Sequence, residues 1–220
     1  MLAALAAMSG GAMGDVILDV TFSANALFVA PGETAQVRLV LRETVTAGSA
    51  SLLVSEQGLS SMGVSVALEA LGVVTSAVEL LPEVMINEAV FFDASDPIFG
   101  PVVEQSPVGG RWLMFAREQG AVGEEVAPGV RELVLATLTI RAGLVEGETT
   151  VVRAGDYDGL TSDSLTWRTP LILDETFRYQ SVVLTVIPGP GVVAVGGVTL
   201  GMTGMTSMFG MNGLRRRRSR

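Results

Sequence analysis

The chain has no cysteine, no histidine and no lysine among its 220 residues, and only 5% of it is aromatic. Without cysteine there are no disulfides and no thiolate chemistry, so the fold rests on burial of apolar surface. Without histidine, the commonest general base and the commonest transition-metal ligand are both missing. Ser-His-Asp, Cys-His and zinc-protease constellations are therefore excluded. Positive charge comes from arginine alone, and it is unevenly placed. Residues 1–214 hold nine arginines against all 23 acidic residues, whereas residues 215–220 add five arginines and no acid. An acidic body repels phosphates, so nucleic acid is not an expected partner.

What is present is apolar and glycine-rich. Hydrophobic residues make up 49% of the chain and glycine 26 positions, enough for one good-sized domain with its own core and a terminal segment. Alternation dominates residues 15–186. Val16, Leu18, Val20 and Phe22 share one strand face, and Ala30-Pro31-Gly32-Glu33 reads as a turn because Pro presets the first bend and Gly the second. Ala35, Val37, Leu39 and Leu41 then alternate with Gln36, Arg38 and Val40 in a second strand. Further strands are expected at Ser51–Ser55, Val64–Leu68, Trp112–Ala116, Gly147–Ala154 and Ser181–Ile187. The strongest is Leu133–Ala142, with Val134, Ala136, Leu138 and Ile140 on one face. Val73–Val90 reads as a loop or short helix, and Phe91–Gly110, with Pro97, Pro101 and Pro107, as a long surface loop. No repeat occurs at solenoid or propeller periods. Short strands, Gly/Pro turns and little helical periodicity predict a mainly β protein, an antiparallel β-sandwich or jelly roll.

The two ends differ from this body. Residues 1–14 are small and apolar, with Ala12 and Gly14 at the spacing of a secretory cleavage site before Asp15, although no positive n-region precedes them. At the other end no charged residue lies between Arg178 and Arg215. The span Val192–Leu214 is 23 residues long. At about 1.5 Å per residue it can cross a hydrocarbon core of about 30 Å as a single transmembrane helix, expected from roughly Gly191 to Arg217. Arg215, Arg216, Arg217 and Arg218 follow as a membrane stop. The chain thus divides into a signal-peptide-like segment (1–14), a β-sandwich domain (15–186) and a tail (187–220).

Pro188-Gly189-Pro190, the uncharged span and the arginine block together resemble the PEP-CTERM protein-sorting signal. In that family Pro-Glu-Pro precedes a transmembrane helix and a basic terminus, and the membrane enzyme exosortase processes the segment. Here Pro188 and Pro190 match the two prolines, and Gly189 stands where the acidic residue is expected. The family consists mainly of exported proteins of Gram-negative bacteria that make exopolysaccharide. The resemblance therefore implies an exported protein that passes through the inner membrane to the cell surface or beyond, with an exosortase-like enzyme as processing partner. In the body, Ala30-Pro31-Gly32-Glu33-Thr34 and Leu135-Ala136-Thr137-Leu138-Thr139-Ile140 resemble turn and strand motifs of cohesin-type and carbohydrate-binding sandwiches.

Candidate chemistry is confined to carboxylates and aromatics. Asp156-Tyr157-Asp158-Gly159 opens a segment ending at Asp163 that has the close carboxylate spacing of a calcium loop; Asp156, Asp158 and Asp163 are the candidate ligands. The alternative is an Asp/Gly turn between strands, with no cofactor. Asp93, Asp96, Glu104, Glu124 and Glu125 could supply paired carboxylates for glycoside hydrolysis, which needs two such groups about 5–9.5 Å apart across a cleft. Trp112 and Trp167 are expected in the core. The leading expectation is an exported, non-enzymatic surface or matrix protein. Alternatives are a permanently anchored module that binds exopolysaccharide or protein, and a carboxylate hydrolase.

Overall fold

In the computed structural model, residues 16–46, 48–72, 77–117, 120–159, 162–189 and 193–195 are described. They form two β-sheets, and no α-helix occurs among them. The first sheet is built on β1 (Val16–Phe22), β3 (Thr34–Val45) and β10 (Val130–Arg141), with β13 (Phe177–Tyr179) beyond β1. Three short strands pair with β10: β5 (Glu79–Leu80), β6 (Met85–Ile86) and β9 (Glu124–Ala127). The second sheet runs β15 (Val193–Val195), β2 (Ala26–Val29), β14 (Ser181–Val186), β11 (Thr149–Gly155), β4 (Leu59–Ala70), β8 (Gly109–Phe115) and β7 (Val102–Ser106). A two-residue strand, β12 (Leu165–Thr166), also pairs with β4.

Alternation in the sequence places the core. Leu18, Val20 and Phe22 of β1, and Ala35, Val37, Leu39 and Leu41 of β3, are buried with Val64 and Val66 of β4 and Trp112 and Met114 of β8 in one apolar cluster. The turn before β3 forms as its residues require. The Glu33 amide donates to the Ala30 carbonyl at 3.1 Å, and Gly32 has φ 74, a backbone that glycine adopts without steric cost.

Two pairings depart from the antiparallel expectation. β1 lies parallel to β13, and β2 lies parallel to β14. Each of these consecutive pairs leaves the first sheet and enters the second, at Ser23 and at Gln180, so early and late segments turn the same corner side by side. The Gln180 amide donates to the Val20 carbonyl at 2.9 Å, and Thr21 Oγ1 donates to Gln180 Oε1 at 3.1 Å. Sequence-distant strands thereby close the domain.

Other expectations need correction. Ser51–Ser55 is no strand. It wraps around the fully buried Glu43, whose carboxylate accepts from Ser51 Oγ at 2.5 Å and from the Leu52 and Leu53 amides at 2.5 and 3.3 Å. Val134 does not share a face with Ala136, because a bulge lies between them; Leu133 and Leu135 point inward before it, and Ala136, Leu138 and Ile140 after it. Residues 77–90 form loop, one of the two expected alternatives, with the two-residue strands β5 and β6 in place of a helix, and 91–110 contain β7 and the start of β8 rather than one long loop. Trp167 is 46% exposed, while Trp112 is buried as expected. Val193–Val195 pairs antiparallel with β2, so a strand stands at three positions where a helix was expected. No helix of the described residues is long and apolar enough to cross a membrane. Residues 1–15, 190–192 and 196–220, with Pro190 and Arg215–Arg218 among them, lie outside the described residues.

Candidate functional site

Strand β4 has two different neighbours along one edge. β11 pairs with it from Ala70 to Ser65, ending at Gly155. The chain then leaves the sheet and returns as β12 opposite Ser61 and Leu59. Between these ladders the excursion is tied to β4 by side chains. Ser61 Oγ donates to the Asp163 carbonyl at 2.6 Å, and the Gly63 amide donates to Ser164 Oγ at 3.1 Å. Beyond β12 the chain doubles back: the Leu173 amide donates to the Ser164 carbonyl at 3.0 Å and enters a single 3₁₀ turn, Asp174–Thr176.

This path gathers three carboxyl groups. Asp156, Asp163 and Asp174 each place an oxygen within 4.8 Å of the others. Asp156 and Asp163 are two of the sequence candidates. The third member is Asp174, which sequence reasoning missed, and not Asp158. Asp158 instead adds to the negative field at Arg111, whose guanidinium pairs with Glu104 at 2.5 Å and stacks 5.3 Å from the centre of the Tyr157 ring. Glu104 holds Arg111 in its charged form first, by hydrogen bond and by charge.

Asp163 is the deepest of the three, only 6% exposed. Its carboxyl lies over Gly63, where an added Cβ would fall within 3.0 Å of Cγ and both oxygens. Glycine at 63 is thus what makes room for the acid. Asp163 Oδ1 accepts from Ser164 Oγ at 3.0 Å, and Asp174 Oδ1 accepts from the Ser164 amide at 3.1 Å. The other oxygen of each, Asp163 Oδ2 and Asp174 Oδ2, is buried without a hydrogen-bond donor. Asp156 Oδ1 takes the Tyr157 amide at 2.8 Å and faces the Tyr179 hydroxyl at 3.5 Å.

The electrostatics follow from this crowding. Burial is the main force pushing the Asp163 carboxyl up from 3.8 to about 7; a hydrogen bond from its neutral form to Asp174 and the charges of Asp174 and Asp156 add to it, and Ser164 opposes it. Burial first, then the charges of Asp156, Asp174 and Asp163, also raises Tyr179. Two chemical outcomes fit such a group: a proton shared between carboxyls, or a cation bound among them.

Four of the five carboxylates considered for hydrolysis are engaged elsewhere. Asp93 receives the Ser95 hydroxyl and amide, which with Arg117 at 2.9 Å hold its carboxyl below the usual range. Asp96 accepts from the Ile98 and Phe99 amides at 2.9 and 2.7 Å, closing a turn. Glu104 and Glu125 pair with Arg111 and Arg131 across neighbouring strands. Glu124 is exposed on β9. A groove of about 520 Å³ lies between the 82–88 segment and β7, with Trp112 in its lining. The buried Trp112 Nε1 has no acceptor.

In the sorting-motif region, Pro188 and Gly189 are described. Gly189 has φ 113. This backbone disfavours an L side chain such as the acidic residue of the family motif.

No protein-family model matches the chain, and no curated protein matches it. Among solved structures it is similar to a type III cohesin module from the cellulosomal ScaE cell-surface anchoring scaffoldin of Ruminococcus flavefaciens, at 10% identity and a TM-score of 0.46, covering 79% of this chain and 88% of that one. It is also similar to AvmM, which catalyses macrocyclization in alchivemycin A biosynthesis, at 14% identity and a TM-score of 0.28, covering 81% and 92%. A third is the PapD-like domain 7 of human CEP192, at 11% identity and a TM-score of 0.24, covering 78% and 87%.

Proposed function

We propose that this chain is an exported, non-enzymatic protein of the bacterial surface or extracellular matrix, in which the β-sandwich is cargo and the tail is a sorting signal. The observation that carries this reading is the order of parts after β14. Pro188-Gly189-Pro190 is followed by a span free of charge up to Arg215 and then by four consecutive arginines. An uncharged span of that length followed by positive charge enters a bilayer and stops at its cytoplasmic face. The absence of histidine, cysteine and lysine is consistent with a non-catalytic body, since the commonest general base and the thiol and amine nucleophiles are missing. Gly189 differs from the family's acidic position, so the processing enzyme would be one that accepts Pro-Gly-Pro.

A second reading is a binding module held permanently by the same span. The groove between the 82–88 segment and β7, and the exposed Val102 and Val103 of β7, favour it. Such a surface offers apolar area beside a strand at the end of its sheet, which suits a polysaccharide or peptide strand. Fractionation of producing cells tests the leading reading. The intact chain reaches the cell surface or medium, whereas substitution of Arg215–Arg218 by Ser leaves it mislocalised. Equal surface delivery with and without the arginines would count against the proposal. Retention on isolated exopolysaccharide that Val103→Asp weakens would favour the binding module.

A further inference from the structure

We propose that Asp156, Asp163 and Asp174 form a site for a hard divalent cation, calcium by preference, that fastens the 156–176 segment to β4. The proposal is independent of the sorting tail. It stands on three observations. The carboxyl oxygens lie within 4.8 Å of one another, a separation that a single cation spans when each cation–oxygen distance is about 2.3–2.6 Å. Asp163 is more than nine-tenths buried and holds Oδ2 without a donor, and Asp174 Oδ2 beside it is in the same state. Two buried carboxyl oxygens without a donor, on carboxyls of the same cluster, cost free energy unless a proton or a cation satisfies them. Gly63 gives the Asp163 carboxyl space that any side chain would fill.

The donor set selects the cation. All three ligands are hard anionic oxygens, and a chain without histidine or cysteine offers nothing that favours zinc or copper. Ligands from an excursion, a 3₁₀ turn and the end of β11 make a site of mixed geometry, which calcium tolerates and magnesium does not. Water fills the positions the carboxylates leave. A bound cation also offsets the mutual repulsion of the three carboxylates with its double positive charge.

The test uses the full-length chain in detergent, stripped with chelator and then titrated with calcium or magnesium. Calcium at about 100-fold over its Kd is expected to raise Tm by about 5 °C or more, and magnesium by clearly less. Asp174→Asn is expected to abolish the calcium response, and Asp158→Asn to retain it. Terbium provides a second readout that does not depend on a variant folding. Bound at this cluster, beside Tyr179 and Tyr157, it emits on tyrosine excitation, and calcium quenches that emission by displacement. No change in Tm with calcium, together with no sensitised terbium emission from the wild-type chain, overturns the proposal and leaves the shared proton as the occupant. So does a response lost in Asp158→Asn and kept in Asp174→Asn. Equal stabilisation by magnesium overturns the assignment to calcium.

Discussion

Replacing Gly63 with alanine tests whether the acidic cluster is built around that glycine. The added Cβ would lie within 3.0 Å of Cγ, Oδ1 and Oδ2 of Asp163, and none of these can retreat freely. Asp163 Oδ1 is held by Ser164 Oγ, and the Asp163 carbonyl is held by Ser61 Oγ. Overpacking a tight site costs about 1–3 kcal/mol, and three overlapping heavy atoms put Gly63→Ala toward the upper end. The offending atoms all lie beyond the aspartate Cβ, so Asp163→Ala removes the overlap entirely. Urea denaturation of wild type, both single variants and the double variant, all in chelator, then gives a cycle. The expected coupling is about 2 kcal/mol, with Gly63→Ala nearly neutral in the Asp163→Ala background. Additivity of the two substitutions to within about 0.5 kcal/mol would refute the packing described here.

Three further outcomes follow from the same structure. In chelator, Asp163 with its carboxyl at about 7, facing Asp156, Asp174, Ser164 and Tyr179, keeps its proton in the folded chain across a window where the unfolded chain has released it near 3.8. The folded state then binds more protons, so stability falls as pH rises from about 4 to about 7, by on the order of 2–4 kcal/mol, and urea midpoints across that range check it. Glu43→Ala removes the acceptor for Ser51 Oγ and for the Leu52 and Leu53 amides inside a fully buried site, and is expected to cost about 3 kcal/mol or more, whereas Glu43→Gln keeps an acceptor oxygen and costs less. Trp112→Ala, in the core, is expected to cost about 3–5 kcal/mol in denaturant unfolding, while Trp167→Ala, which is 46% exposed, stays within about 1 kcal/mol.

Strands with one buried face were legible because their alternation is local. Val16–Phe22 and Thr34–Val45 carry their inward residues at every second position, and the turn between β2 and β3 declares itself in Pro31-Gly32. The bulge in β10 was not legible, since it shifts the face between Val134 and Ala136 without any residue that marks it. Two-residue strands such as β5 and β6 exist only through pairing with β10 and have no period to read. Parallel pairing of β1 with β13 and β2 with β14 depends on contacts between the two halves of the sequence, which no window contains. The site divides in the same way. Asp156 and Asp163 stood out because they share one Asp-rich segment, and local spacing made Asp158 an equal candidate. Asp174 enters from beyond β12, and Gly63 lies about a hundred residues earlier on β4; only the fold brings them together.

The intact mass of the protein recovered from producing cells tests the central claim most directly. Processing of the tail predicts a mature species that lacks Arg215–Arg218 and, with them, the uncharged span that precedes them. A surface or secreted form that retains the arginines through Arg220 would contradict the sorting account and leave a permanently anchored module in its place.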